Sequence, residues 1–206
     1  MMKNNKIETL EELSALYGPA NPMSLAKETP HLTPAYQKWI EAAPFFALAS
    51  VGPGGLDCTP RGDAKGHAFQ VLDDKTLVIP DRRGNNRLDT LKNIIADPRV
   101  ALLFLVPGIN ETLRINGNAH ITTKPEILEF FKAQNKLPIS AIVVDIDAVY
   151  FQCARALKRA QLWDVSSRVR QNEVPTAGQM SKGAQPGFDA DAYDGKLEAR
   201  QAGTLY

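Results

Sequence analysis

The chain has 206 residues, 44% of them hydrophobic and 23% charged, which suits one soluble globular domain with appendages. Its 24 basic residues nearly balance 23 acidic ones, so no global field favours nucleic acid or an anionic membrane, and any anion site must be a local cluster. Cys58 and Cys153 stand alone, outside any metal or redox spacing, and read as two buried apolar thiols in a reducing cytoplasm. No run reaches the ~20 apolar residues of a membrane span. Met1 to Tyr17 lacks the apolar centre of a signal peptide, so a cytoplasmic protein is expected.

In chain order, Ile7, Leu10, Leu13, Leu16 and Tyr17 recur at helical spacing up to Gly18-Pro19. A second short helix is expected over Ala35 to Ala43, closed by Pro44. Phe45 to Val51 and Leu56 to Asp63 flank Gly52-Pro53-Gly54-Gly55 and read as a β-hairpin. Phe69 to Leu72 and Thr76 to Ile79 suggest another. Asn86 to Ala96 reads as a helix, stopped at Asp97 by Pro98. Val100 to Val106 and Thr112 to Thr122 are strands, with Gly117 marking a bulge. A helix over Pro125 to Asn135 and a strand over Ala141 to Cys153 follow. Ala154 to Trp163 is mixed basic and apolar. From Asp164 onward the chain reads as an extended tail with one short helix over Ala190 to Arg200. Short strands joined mainly by hairpins point to an antiparallel barrel with helices outside it. The helix at Asn86 bridges two strands, so one parallel βαβ unit also has to be considered.

Chemistry concentrates between Cys58 and Ala96. Pro60 and Gly62, around Arg61 and before Asp63, weaken a strand and mark an edge, a bulge or a close approach of ligand. Arg82-Arg83-Gly84-Asn85-Asn86-Arg87 leads a basic loop into a helix, for which Asn85 or Asn86 is a natural N-cap. First-turn amides, Arg87 and a glycine admitting close approach would form a phosphate cradle, though a solvated basic turn has the same composition. Thr112, Arg114 and Asn116 alternate and so share one face of their strand, lining a pocket or facing solvent. Arg155, Lys158, Arg159 and Trp163 form a further basic group. His31, His67 and His120 lie far apart, without a catalytic signature, and a structural or surface role is expected. Of these, His67 stands nearest the basic residues Arg61 and Lys65.

Four segments together carry a family resemblance: Pro60-Arg61-Gly62-Asp63, Gly84-Asn85-Asn86-Arg87, Asp97-Pro98-Arg99-Val100 and Thr112-Leu113-Arg114-Ile115-Asn116-Gly117. Their order and spacing resemble the pyridoxamine 5′-phosphate oxidase-like flavoproteins, within a bacterial subgroup of FMN-dependent enzymes, over Tyr17 to Asp164. The resemblance implies a mainly β (α+β) fold: a six-stranded antiparallel split β-barrel of Greek-key type with peripheral helices. Residues 1–43 would pack as helices on the barrel, residues 44–164 would form it, and residues 165–206 would be the tail. It further implies a homodimer with two FMN sites, each built from both subunits, acting on a small-molecule substrate.

The resemblance also assigns roles. Arg61, with Pro60, Gly62 and Asp63, would meet the flavin, as would Ile79, Pro80 and Asp81. Asn85, Asn86 and Arg87 would hold the phosphate. They stand where the family carries Ser-Arg-Lys, so one positive charge is lost. Thr112, Leu113 and Arg114 would reach the ring, and the partner's Lys158, Arg159 and Trp163 would complete the site. The Trp-Arg-Pro and Arg-Leu motifs that close on vitamin B6 in the oxidases have no counterpart in the C-terminal segment. That leaves three alternatives beside an oxidoreductase of unassigned substrate: a true B6-phosphate oxidase, a non-catalytic flavin or redox-sensing module, and a barrel preferring deazaflavin or haem.

Overall fold

The structure is a computed structural model that describes residues 6–204; residues 1–5 and 205–206, the ends of the expected N-terminal region and tail, lie outside the described residues. The chain opens with α1 (Leu10–Tyr17), α2 (Pro22–Ala26) and α3 (Pro34–Ile40), each started by a side-chain cap: Thr9, Asn21 and Thr33. At α1 the capping is reciprocal, Thr9 and Glu12 each bonding the other's backbone N–H. The strands are β1 (Phe45–Gly52), β2 (Gly55–Gly62), β3 (Gln70–Asp73) and β4 (Thr76–Asp81), then β5 (Arg99–Leu105), β6 (Thr112–Thr122) and β7 (Ser140–Gln152). Helix α4 (Asp89–Ala96) joins β4 to β5, and α5 (Pro125–Glu129) joins β6 to β7. After β7 come α6 (Arg155–Ala160), α7 (Ala177–Ala184), α8 (Ala190–Asp194) and α9 (Leu197–Ala202).

The strands form one sheet in the order β2-β1-β5-β6-β7-β4-β3, and every pairing is antiparallel. The expected barrel fold is present, with seven strands rather than six because the four-residue β3 extends the β4 edge. Strand β4 lies beside β7 and not beside β5, which is the Greek-key return. The connection through α4 is therefore not a parallel βαβ unit. At Gly117 the register of β6 on β7 shifts, Asn116 facing Ala148 and Gly117 facing Ile146, so the expected bulge is real and Asp147 is its extra residue.

Alternation dictates how the sheet rolls. Phe46 and Leu48 of β1, Leu77 and Ile79 of β4, Leu102 and Phe104 of β5, and Ile142 and Val144 of β7 all point into one core. Phe46 stacks on Phe104 with ring centres 4.9 Å apart, and Phe69, just before β3, meets Phe104 edge-on at 5.2 Å. The β1 and β4 ends of the sheet thus share a core although no backbone ladder joins β2 to β4. Side chains bridge that gap: Arg61 reaches Asp81 at 3.2 Å, and Arg82 reaches Asp63 at 2.9 Å. Pro60 explains part of the split, since it offers no N–H for a further ladder.

Helix α4 plugs one end of the barrel through Leu91 and Ile94, and Asn93 donates to the inward Ser50 hydroxyl at 3.1 Å. The α5 segment covers the outer face of β4 and β7, where Leu128 and Phe131 meet Val78, Ala141 and Val143. It is shorter than expected, ending at Glu129, and the chain then turns at Gln134 and Asn135, whose left-handed φ of 49° and 62° lies outside any helix. Helix α3 contributes the buried Ile40, whereas α1 buries no residue.

The tail holds more helix than the one short segment expected over Ala190 to Arg200: that stretch forms α8 and α9, and α7 precedes it. Thr176 and Gln179 form a second capping box, and Asp194 accepts hydrogen bonds from the Thr176 hydroxyl and the Gly178 N–H, tying α7 to α8. Phe188 and Tyr193 pack with ring centres 5.2 Å apart, and Arg200 lies 4.3 Å over Tyr193. Such local caps and ring contacts leave no long apolar period to read. Among the described residues no helix is long and apolar enough to cross a membrane.

Candidate functional site

A cleft of about 900 Å³ opens along the split. Asp57 to Asp63 of β2 and its exit form one wall, and Ile79, Pro80 and Asp81 of β4 the other. The loop Arg82 to Leu88, the start of α4, and Ile139 and Ser140 complete it. The sequence-expected residues Pro60, Arg61, Gly62, Asp63, Ile79, Pro80, Asp81, Asn85, Asn86 and Arg87 therefore meet in one place.

Arg61 is a partly buried cation on the cleft wall. Its side chain is 19% exposed; one terminal nitrogen is bound to Asp81, while Nε is buried without a hydrogen-bond partner among the described residues. A buried donor left unpaired costs about 1–3 kcal/mol, so the position favours an incoming acceptor. Arg82 is spent structurally, donating to Asp63 and, at 2.7 Å, to the Phe131 carbonyl. Asp57 accepts from the Thr90 hydroxyl at 2.8 Å, which ties α4 to β2.

The loop before α4 differs from expectation. Neither Asn85 nor Asn86 caps the helix, which begins at Asp89 rather than Asn86. Asn85 instead accepts from the Arg87 N–H at 3.1 Å, an Asx-type turn, and Asn86 takes a left-handed φ of 60°, which asparagine tolerates. Leu88 holds the cap position, also at φ 60°, and supplies no side-chain bond to the first-turn amides. A left-handed leucine costs on the order of 1–2 kcal/mol. Strain of this kind is typically held where a loop meets ligand. Arg87 lies between the two left-handed residues and pairs with Asp89 at 2.7 Å.

The remaining expected residues do not line this cleft within one copy of the chain. Thr112 lies in the register row Gly62–Phe45–Leu105–Thr112, three strand steps from Gly62, or roughly 14 Å along the sheet. Thr112 is buried and Leu113 points into the core; Arg114 and Asn116 are exposed, so the shared polar face extends over those two only. Arg114 extends across to Tyr150, its guanidinium 5.8 Å from the ring centre. Lys158 and Arg159 are on α6, and Trp163 lies beyond the left-handed Gln161, donating to the Ile109 carbonyl at 2.7 Å. Trp163 is thus anchored to the β5–β6 loop.

Both cysteines are exposed, correcting the expectation of buried thiols. Cys58 faces outward on an edge strand and lines the cleft, while Cys153 occupies the turn into α6. The Arg155 backbone N–H donates to the Cys153 thiol and pulls its pKa below the ordinary value, with the Arg155 and Lys27 charges adding to the effect. His67 does not line the cleft, and His120 stands 4.0 Å from Asp145 on the surface. Among the described residues, no cluster of His, Cys, Asp and Glu is arranged to hold a metal. Sequence reading missed Arg83, Thr90, Ile139 and Ser140 as cleft residues. The Arg82-Arg83 pair was a usable signal for the first. Ser140 had none, because it arrives through its pairing with Asp81.

The sequence model described as pyridoxamine 5′-phosphate oxidase matches residues 32–153. The chain belongs to that family. In this pyridoxamine 5′-phosphate oxidase family member the matched region spans β1 to β7 and the whole cleft, and leaves α1, α2 and α6 to α9 outside. A search of curated proteins found no match. Among solved structures, a candidate pyridoxamine 5′-phosphate oxidase from Lactobacillus delbrueckii is 21% identical, over 59% of this chain and 95% of that one, with a TM-score of 0.46. HupZ from Group A Streptococcus is 18% identical over 55% and 90%, with a TM-score of 0.45. An FMN-binding protein from Syntrophomonas wolfei is 12% identical over 52% and 76%, with a TM-score of 0.40.

Proposed function

We propose that this chain is an FMN-dependent oxidoreductase that works as a homodimer, with each flavin site completed by the second copy. One observation carries the reading: a buried, unpartnered Arg61 Nε in a cleft whose rim is a strained basic loop opening onto a helix start. FMN has the chemistry these groups select, an anionic end joined to a flat heterocycle rich in acceptors. Its phosphate suits Arg87 and the first amides of α4, where charge-assisted bonds and the helix dipole act together. The polar edge of the ring suits Arg61 and the backbone of Gly62 and Asp63 on one wall, and of Ile79, Pro80 and Asp81 on the other. Bound there, the flavin would supply two-electron transfer. The chain's own residues bind it, fix its orientation through the two ion pairs across the split, and exclude water with Ile79 and Leu91.

The side-chain pattern of two strands supports the homodimer. Strands β1 and β5 are apolar on both faces: Phe46, Leu48, Leu102 and Phe104 point inward, while Phe45, Ala47, Ala49, Leu103 and Leu105 point outward. Strands apolar on both faces read as buried on both, yet Phe45 is 40% exposed. A second copy placed against this face would continue the row from Gly62 to Thr112 toward the partner's cleft. Thr112, Leu113, Arg114, Lys158, Arg159 and Trp163, remote from the cleft in their own copy, would then belong to the site of the other.

Absorption spectroscopy of the purified protein, with mass spectrometry of the released ligand, tests the cofactor. FMN is expected. Anaerobic mixing with reduced nicotinamide and with pyridoxamine 5′-phosphate then tests the chemistry. Bleaching of the flavin by reduced nicotinamide fits the proposed class. Turnover of the amine with peroxide release would make the chain a B6-phosphate oxidase. A tightly held flavin that neither donor reduces would make it a non-catalytic module, and protein unable to bind FMN would end the flavin reading altogether.

A further inference from the structure

The cleft's charges are nearly all accounted for within the chain. Arg61 is paired with Asp81 at 3.2 Å, Arg82 with Asp63 at 2.9 Å, and Arg87 with Asp89 at 2.7 Å. The remaining carboxylate, Asp57, is held by Thr90. Arg83 is the exception: it lines the same cleft, is exposed, and has no hydrogen bond or ion pair among the described residues. An entering phosphate must compete with a carboxylate for every other guanidinium, whereas Arg83 offers its full charge and planar fork. At Asn86, where the family resemblance calls for a cation, the chain has a neutral left-handed turn residue. Arg83 precedes Gly84 at the opposite end of the same short loop.

We propose that Arg83 is the specificity-determining residue that makes the site prefer a phosphorylated flavin over an unphosphorylated one, supplying the charge missing at Asn86. The inference rests on the flavin reading above and adds to it which atom group of the ligand is selected and by what. Arg87, tied to Asp89, would then position the loop and share the anion rather than hold it alone.

Paired titrations of the full chain with FMN and with riboflavin separate the two levels. Loss of a charged contact to one phosphate should weaken FMN binding about tenfold to a hundredfold in Arg83→Ala while leaving riboflavin affinity unchanged. Arg83→Lys should recover a large part of the loss, because a point charge still binds phosphate. Riboflavin serves as the internal control for folding, since a distorted cleft would weaken both ligands. Equal weakening of both, or no weakening of either, would overturn the assignment to Arg83. Wild-type protein that binds neither flavin would instead overturn the reading of the cleft itself.

Discussion

Arginine is used in two ways in this cleft, and the surroundings of each side chain decide which. Arg82 spends its donors on Asp63 and a backbone carbonyl, so it holds the split together. Arg61 is half committed, with Nε left over and buried. Arg87 is 76% exposed and its contact with Asp89 is a surface pair, a kind worth under about 1 kcal/mol, so a phosphate can share or displace it cheaply. Arg87→Ala is therefore expected to cost ~1.5–3 kcal/mol of FMN binding, or roughly tenfold to a hundredfold in Kd. Quenching of flavin fluorescence on titration measures it. An unchanged Kd would remove Arg87 from the phosphate site.

At the scale of elements, two junctions show how local sequence sets geometry. Where α4 passes into β5, Asp97 accepts from the Arg99 side chain and backbone, which lowers its pKa from 3.8 to about 2. A carboxylate depressed on folding contributes above its unfolded pKa, and that contribution fades as pH falls through the folded value. The Asp97–Arg99 contact should thus be intact above about pH 3.8 and lost near pH 2. NMR titration of the Asp97 carboxyl checks this, and Arg99→Ala should bring its midpoint back toward 3.8. At the β6–β7 bulge, a Cβ on Gly117 would stand 2.2 Å from the Asp145 carbonyl oxygen, a backbone atom that cannot swing aside. Gly117→Ala should therefore destabilise the barrel by about 1–3 kcal/mol. Thermal unfolding gives the test: a drop of less than about 2 °C would mean the ladder yields more readily than its spacing suggests.

For the whole molecule, the apolar outer face of β1 and β5 is the feature a single copy leaves unexplained. Burying Phe45, Leu103 and Leu105 against a second copy would remove that exposure and bring the remote basic residues of α6 to another cleft. Leu103→Glu would place an unpaired charge in the contact, at a position that faces away from the core. Light scattering should show the wild type as a dimer and the variant as a monomer, with far-UV circular dichroism unchanged. FMN affinity should fall in the variant although no cleft residue was altered. A monomeric wild type that binds FMN normally would sink the two-copy site.

Much of this was legible in the chain alone, because its signals are local. Apolar runs bounded by Gly, Pro and Asp turn residues marked the strands, Pro98 stopped α4, and Gly117 marked the bulge. Part of the cleft was legible too: Pro60 to Asp63 and Asn85 to Arg87 stand out by their chemistry, whereas Ile79 to Asp81, an ordinary strand end, was nominated only through the family resemblance. What failed turned on choices the local sequence leaves nearly balanced. Asn86 was as good a turn residue as a cap, and Leu88 in a left-handed conformation has no sequence signature. The tail's helices rest on caps and on Asp194 reaching back across them. Long-range pairing decided the rest. The register of β4 on β7 delivers Ser140 to the cleft, the rolling of the sheet sets Arg61 against Asp81, and the positions of Asp63, Asp81 and Asp89 determine which arginines are already neutralised. Residue types and their spacing can nominate a cation, but only the folded chain determines whether a carboxylate has reached it first.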